Sequence, residues 1–250
     1  ILRDEALKSL GYPQRVIDRI RINPTKAELA ADEDIIPVYM EIRMSKKVGK
    51  WTVSGKPDFV GQGQLEDFKT ASSYVVTSHV NDEKFGWQGS VYRWIDPEMI
   101  TEDSLKVQFI ITDWSSMQAK QSPDYPQSRH VQRVIPLKPV SEVDRMIRAK
   151  LDDIERYWDA DEADIPECTM DELQRSDPKF KYYKGGDTSA ARSTKNFDSM
   201  QEALSYMHGK GEGQGVIKEV PGQVTSCRFC AAFSVCSQKD RLVAAGELTL

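Results

Sequence analysis

The stretch of sequence that decides the fold is Gly55-Lys56-Pro57-Asp58-Phe59-Val60, followed after a Gln-Gly turn by Leu65-Glu66-Asp67-Phe68-Lys69-Thr70. Apolar and aromatic residues bounded by glycines predict two β-strands joined by a short connection. Side chains two residues apart in a strand point to the same face, so Asp67 and Lys69 are expected to project together. Asp58, at the end of the preceding strand, is expected to lie beside them.

The flanking segments predict more strands and two clear helices. DIIPVYMEIRMS predicts a strand near 36–45, and LKVQFIITDW and HVQRVIPL predict two later strands, with a loop between them. FGWQGSVYRWI has helical spacing and is expected to end before Pro97. SEVDRMIRAKLDDIERYWDA is the strongest helix, with Ser141 and Asp144 resembling a capping box. We therefore expect an α/β fold with a mixed central sheet flanked by helices.

Composition limits the class of protein. The chain has 250 residues, of which 39% are hydrophobic and 29% charged, so it can form a packed core. No apolar run approaches the roughly 20 residues that span a bilayer, and the first 20 residues predict a polar amphipathic helix rather than a secretory signal. After residue 160 the sequence turns acidic and then basic and Gly/Ser-rich, which predicts a core domain at 1–160 and a C-terminal lobe at 161–250.

The two carboxylates and the lysine suit hydrolysis of phosphodiester bonds. Oxygen ligands hold Mg²⁺ or Mn²⁺, and we expect these from Asp58, Asp67, the backbone carbonyl of Phe68 and Glu41 on the preceding strand. Lys69 would orient the attacking water and offset negative charge. The structural alternative is a surface strand in which the acid and the lysine form a salt bridge. Taken alone, an acid-x-Lys tripeptide is found more often in such a strand than in a catalytic site.

These motifs resemble the PD-(D/E)XK nuclease superfamily, and more narrowly its RecB-like branch. The matching residues are Glu41, the Gly55 to Asp58 stretch, the Asp67 to Thr70 stretch, and Gln88 with Tyr92 on a following helix. The resemblance implies a restriction-endonuclease-like core in which Gln88 and Tyr92 face the active site. The branch usually carries an upstream helical histidine, whereas all three histidines here follow the motif. That ligand either precedes Ile1 or is replaced by Glu41.

All four cysteines can belong to one metal site. Cys227, Cys230 and Cys236 have metal-ligand spacing, and Cys168 supplies a fourth thiol. The Cys227 to Cys236 spacing resembles the iron–sulfur motif of CRISPR-adaptation nucleases and of the AddB-type helicase–nuclease subunit, which implies a structural [4Fe-4S] cluster. In those proteins the first cysteine precedes the nuclease core, whereas Cys168 follows it, an order that resembles a group of phage-encoded nucleases. A zinc ion held by the four cysteines is also compatible with this pattern. The alternative to any metal site is four unrelated free thiols.

A basic segment is a candidate nucleic-acid contact. Tyr182 and Tyr183 lie among five basic residues, namely Lys179, Lys181, Lys184, Arg192 and Lys195. Basic residues interleaved with aromatics suit a single strand, through phosphate pairing and base stacking. A solvated flexible loop explains the same composition equally well.

The sequence therefore predicts a Mg²⁺- or Mn²⁺-dependent deoxyribonuclease, with an exonuclease as the leading interpretation, acting in phage or bacterial DNA recombination, repair or processing in the cytoplasm. An endonuclease or an RNA-directed enzyme is a further alternative. Its partner would be DNA with a single-stranded portion. No Walker loop is present, so a helicase or recombination motor would be another chain. The alternative is a catalytically silent nucleic-acid-binding or assembly module that retains the nuclease fold.

Overall fold

A computed structural model describes residues 2–249, apart from the side chain of Leu2. The chain forms two compact units, Ile1–Glu155 and Arg156–Leu250. The boundary expected near residue 161 lies slightly beyond the observed one. Within the described residues, no helix is both long enough and apolar enough to cross a membrane.

The first unit begins with short elements. These are α1 (Leu2–Ser9), α2 (Gln14–Ile17), β1 (Ile20–Ile22) and α3 (Lys26–Ala31). The expected single amphipathic helix is wrong, because the chain turns at Gly11, which has a φ of 87°, and because Pro13 follows. Thr25 and Glu28 form a capping box at the start of α3.

Seven further strands complete this unit. They are β2 (Ile36–Met40), β3 (Met44–Val48), β4 (Trp51–Gly55), β5 (Phe59–Gly61), β6 (Gln64–Ala71), β7 (Ser104–Ile111) and β8 (His130–Pro136). Six strands form one sheet in the order β1-β2-β5-β6-β7-β8, while β3 and β4 form a separate hairpin. The β1–β2 and β6–β7 pairs are parallel and the other neighbours are antiparallel, so the sheet is mixed.

Helices flank this sheet. They are α4 (Ser73–Ser78), α5 (Asp82–Ile95), α6 (Ser116–Gln121) and α7 (Val140–Tyr157). The parallel β6–β7 pair requires a crossover connection, which α4 and α5 provide. The expectation of an α/β fold with a mixed central sheet flanked by helices is confirmed, as is the end of α5 before Pro97. The segment between β7 and β8, expected to be a loop, contains α6, capped by Ser115.

The start of α7 differs from the prediction. The helix begins at Val140, so Ser141 lies inside it and the expected capping box is wrong. Asp144 instead accepts a hydrogen bond from Trp94 Nε1 at 3.0 Å and pairs with Arg148. This contact ties α7 to α5 over the shared core, which is formed mainly by Val60, Leu65, Trp94, Ile100, Leu105, Val107, Phe109, Ile111 and Val143.

The second unit contains a small sheet and a cysteine-bearing tail. Its elements are α8 (Met170–Leu173), β9 (Lys179–Tyr183), β10 (Lys195–Phe197), α9 (Met200–His208), β11 (Val216–Val220) and α10 (Ser237–Ala244). The sheet order is β10-β9-β11, and both pairs are antiparallel. A separate core of Leu173, Val224 and Leu248 includes the partly buried Cys227.

Candidate active site

The site begins where strands β5 and β6 separate. Phe59 pairs with Glu66, so a continued register would place Pro57 opposite Phe68. Proline has no backbone N–H, and the ladder therefore cannot continue past this point. The Phe68 N–H instead donates to Asp58 Oδ2 at 2.9 Å. Asp58 is thereby held in the gap between the two strands.

Asp67 lies on the buried face of β6. Its side chain is only 6% exposed, and Lys69 Nζ lies 2.7 Å from its Oδ2 as an ion pair. Apart from this ion pair, the buried Oδ2 atom has no hydrogen-bond partner among the described residues. Lys69 is therefore the single partner of this buried oxygen among the described residues. The structure thus brings Asp58, Asp67 and Lys69 together, as the period of two predicts.

Burial dominates the protonation of Asp67. Removal from water raises the pKa of its carboxyl, the hydrogen-bonding and charge effects of Lys69 oppose that rise, and the negative charge of Asp58 adds to it. The dependence on Asp58 shows that the two carboxylates interact electrostatically. A cation between them would relieve both the burial cost and the mutual repulsion.

Glu41 is placed differently from the expectation. The predicted strand at 36–45 is interrupted, since β2 ends at Met40 and Glu41 has a φ of 52°. The Glu41 N–H donates to the Asp58 carbonyl at 3.1 Å, so its backbone borders the site. Its carboxylate is half exposed and forms an ion pair with Lys56. The structure therefore does not place this carboxylate with the two aspartates.

Helix α5 supplies the other predicted pair. Gln88 Nε2 donates to Tyr92 Oη at 3.1 Å, as expected for residues four apart on one helix face. The Tyr92 ring packs against Gly55, where an added Cβ would lie 2.6 Å from Tyr92 Cε1. The glycine of the motif is therefore needed for close approach of the helix.

Two residues of the site were not predicted from the sequence. Lys69 Nζ lies 5.6 Å from the ring centroid of Phe85, within cation–π range. Phe85 precedes Gln88 by three positions and Tyr92 by seven, a spacing that could have identified it. Lys56, the partner of Glu41, carries no comparable signal because its pairing depends on the interruption at residue 41.

Two interacting carboxylates, one of them buried, suit a small divalent cation. Among residues 2–249, no three His, Cys, Asp or Glu side chains lie close enough together to hold a metal ion. Mg²⁺, however, is usually held by one or two carboxylates, with waters and substrate phosphates completing the shell. In a strand, N–H and C=O of one residue face the same neighbour, so the Phe68 carbonyl faces the Asp58 side. Asp58, Asp67 and this carbonyl fit Mg²⁺ or Mn²⁺.

The four cysteines are free and lie in the second unit. The described residues do not bring them into one ligand cluster. Burial first, and then the charges of Cys236, Cys168 and Cys230, raise the pKa of the Cys227 thiol, so the four cysteines interact electrostatically. The Gln238 side chain also bridges the backbone of Cys168, accepting from its N–H and donating to its carbonyl, both at 2.9 Å. Residue 168 is thus tied to α10.

The basic segment forms a sheet rather than a flexible loop. Tyr182 is 1% exposed and Tyr183 is 7% exposed, so neither ring is available for base stacking and that expectation is wrong. Tyr182 Oη donates to the Gln214 carbonyl at 2.7 Å, and its ring contacts Tyr206 of α9 edge-on. The tyrosines therefore belong to the core of the small sheet.

Comparison with known proteins identifies no family. No family model matches the chain, and no curated protein matches it. Among solved structures, the chain is similar to the crystal structure of SSO0001, with 12% identity and a TM-score of 0.31. The match covers 50% of this chain and about half, 53%, of that chain. A similarity at this level supports neither a family nor a function.

Proposed function

We propose that this protein is a metal-dependent deoxyribonuclease of the PD-(D/E)XK type, acting as an exonuclease. The observation that carries the proposal is the buried Asp67 carboxylate, which pairs with Lys69 at 2.7 Å and interacts electrostatically with Asp58. The mixed sheet, and the position of α5 after the strand that carries Asp67 and Lys69, support the proposal because the resemblance implies a helix after the acid-x-Lys strand.

Each side chain has a role that its position supports. Asp58 and Asp67, with the Phe68 carbonyl, would hold the cation, which polarises the scissile phosphate and lowers the pKa of a water molecule. Lys69 would orient the attacking water and offset charge on the phosphate. Its position against Phe85 and Asp67 restricts the ammonium group to the site. Gln88 and Tyr92 would bind the nucleic-acid strand along α5.

The cysteines support a structural role in the same protein. Thiolates at Cys168, Cys227, Cys230 and Cys236 have the donor chemistry for a [4Fe-4S] cluster or for zinc. Such a site would bind residue 168 to the C-terminal tail, as the Gln238 bridge already does. It would stabilise the second unit and take no part in cleavage.

The test is cleavage of end-labelled single- and double-stranded DNA in Mg²⁺ or Mn²⁺. We expect degradation by the native protein and its loss in Asp67→Ala and Lys69→Ala. Matched controls are Glu66→Gln and Lys106→Ala. These two residues are opposite each other in the β6–β7 register, and their side chains lie on the face of the sheet opposite to Asp67 and Lys69. The product ladder gives the polarity. DNA binding by the native protein without cleavage in either metal would instead identify a silent binding module.

A further inference from the structure

The small sheet of the second unit concentrates positive charge in a chain whose net charge is −5. Its three strands, KFKYY, KNF and VIKEV, contain four lysines and one glutamate. A local cationic surface on an acidic protein is the electrostatic signature of a polyanion site. The structure shows which of these lysines are available to such a partner.

The two faces of this sheet differ. Tyr206 of α9 contacts the rings of Tyr182 and Phe197, so α9 covers the face that carries these rings. Lys195 pairs with Tyr182 and lies on that covered face, where its Nζ is 4.7 Å from the Tyr206 centroid. Strand alternation places Lys181 on the opposite face.

On that opposite face, Asn196, Lys181 and Lys218 form a row across the three strands. Lys181 pairs directly with both Asn196 and Lys218 in the antiparallel registers. Like charges directly opposite each other destabilise a sheet. Neither lysine forms an ion pair with a described carboxylate, whereas Lys179 in the next row is paired with Asp198. Lys218 and Asn196 are exposed and Lys181 is partly buried, so the row contains two uncompensated ammonium groups and one amide.

We propose that Asn196, Lys181 and Lys218 form a surface that binds the phosphate backbone of nucleic acid without reading sequence. Lysine and amide donors are those that contact phosphate oxygens, and a phosphate between the two lysines would remove their repulsion. The tyrosines that could stack on bases are buried, so contact is confined to the backbone. The inference rests on the proposed function only in taking nucleic acid as the partner.

The first test measures binding of a fluorescein-labelled single-stranded oligonucleotide of mixed sequence in EDTA, which excludes cleavage. Lys181→Gln with Lys218→Gln should weaken binding roughly tenfold to fiftyfold at 50 mM salt and reduce the salt slope by about 1.4. The charge-matched control is Lys26→Gln with Lys210→Gln, both exposed positions outside this row. An unchanged affinity and slope, or an equal loss in the control, overturns the proposal.

A second variant separates binding from folding. Lys218→Glu converts the repulsive pair into an attractive one, so its melting temperature should equal or exceed that of the native protein while its affinity for the oligonucleotide falls. A lower melting temperature contradicts the repulsion. Binding of the native protein to phosphatidylserine vesicles and not to DNA would identify an anionic membrane as the partner and overturn the proposal. Absence of cleavage with intact lysine-dependent binding would refute only the nuclease.

Discussion

Asp67→Asn should separate the proposed catalytic role of this residue from its effect on stability. The substitution removes a buried negative charge while keeping the size of the side chain. Burial of the charged carboxylate opposes folding, as its raised pKa indicates, and loss of the Lys69 ion pair offsets part of the gain from removing that charge. We expect a net increase in stability of about 1 kcal/mol without metal, which is roughly 2–4 °C in melting temperature. Cleavage should be abolished.

Divalent metal should reverse this order of stability. A cation that binds the folded native protein at one hundred times its Kd adds about 2.7 kcal/mol, or roughly 5–10 °C. The Asp67→Asn variant should lose most of this shift. Calorimetry in EDTA and in Mg²⁺ measures both effects. Glu66→Gln, one position away on the opposite face, should show the native metal response.

The difference in stability between the native protein and Asp67→Asn should also depend on pH. The pKa of the Asp67 carboxyl is raised in the folded protein, chiefly by burial. The contribution of this carboxyl to the free energy of unfolding is therefore fully favourable below its pKa in the unfolded chain. It is lost as pH rises through its pKa in the folded protein. The advantage of Asp67→Asn should appear at neutral pH and vanish in acid. Equal metal shifts in both proteins, or an advantage that grows in acid, would refute the reasoning.

Two further substitutions test contacts around the site and the tail. Gly55→Ala should lower stability by about 1–3 kcal/mol, because the new Cβ would overlap the Tyr92 ring. The control Gly185→Ala should be neutral, because its Cβ would meet no atom within 4 Å. Thermal denaturation measures both. Gln238→Ala should lower the free energy of unfolding by about 1 kcal/mol and speed hydrogen exchange of the Cys168 amide, because both bridging hydrogen bonds are lost. Unchanged exchange at Cys168 would contradict the bridge.

Local pattern predicts much of the first unit because its strands and helices follow simple periods. Strand β6 and helix α5 occur where alternation and helical spacing place them, and the Asp67–Lys69 ion pair follows from the period of two. The Gln88–Tyr92 hydrogen bond follows from helical spacing in the same way. These contacts lie within one element, so no tertiary information is needed to infer them.

The sequence predictions that were wrong depend on contacts distant in sequence or on unusual backbone conformations. The break at Glu41 requires a positive φ in a residue that rarely adopts it, and the preceding strand gives no sign of it. Tyr182 is buried by neighbours distant in sequence, including Tyr206 of α9, and Tyr183 is buried on the opposite face of the strand. The alternation of Lys179, Phe180, Lys181 and Tyr182 is nonetheless a strand signal that the basic composition obscured.

The opening between β5 and β6 has its origin in covalent structure. The Pro57 ring lacks an N–H at any temperature or salt concentration, so no rearrangement of side chains can extend the ladder past it. Substitution of the acids or the lysine would leave this backbone gap in place. The separation of the two strands and the identity of the acids and the lysine beside it can therefore vary independently during evolution.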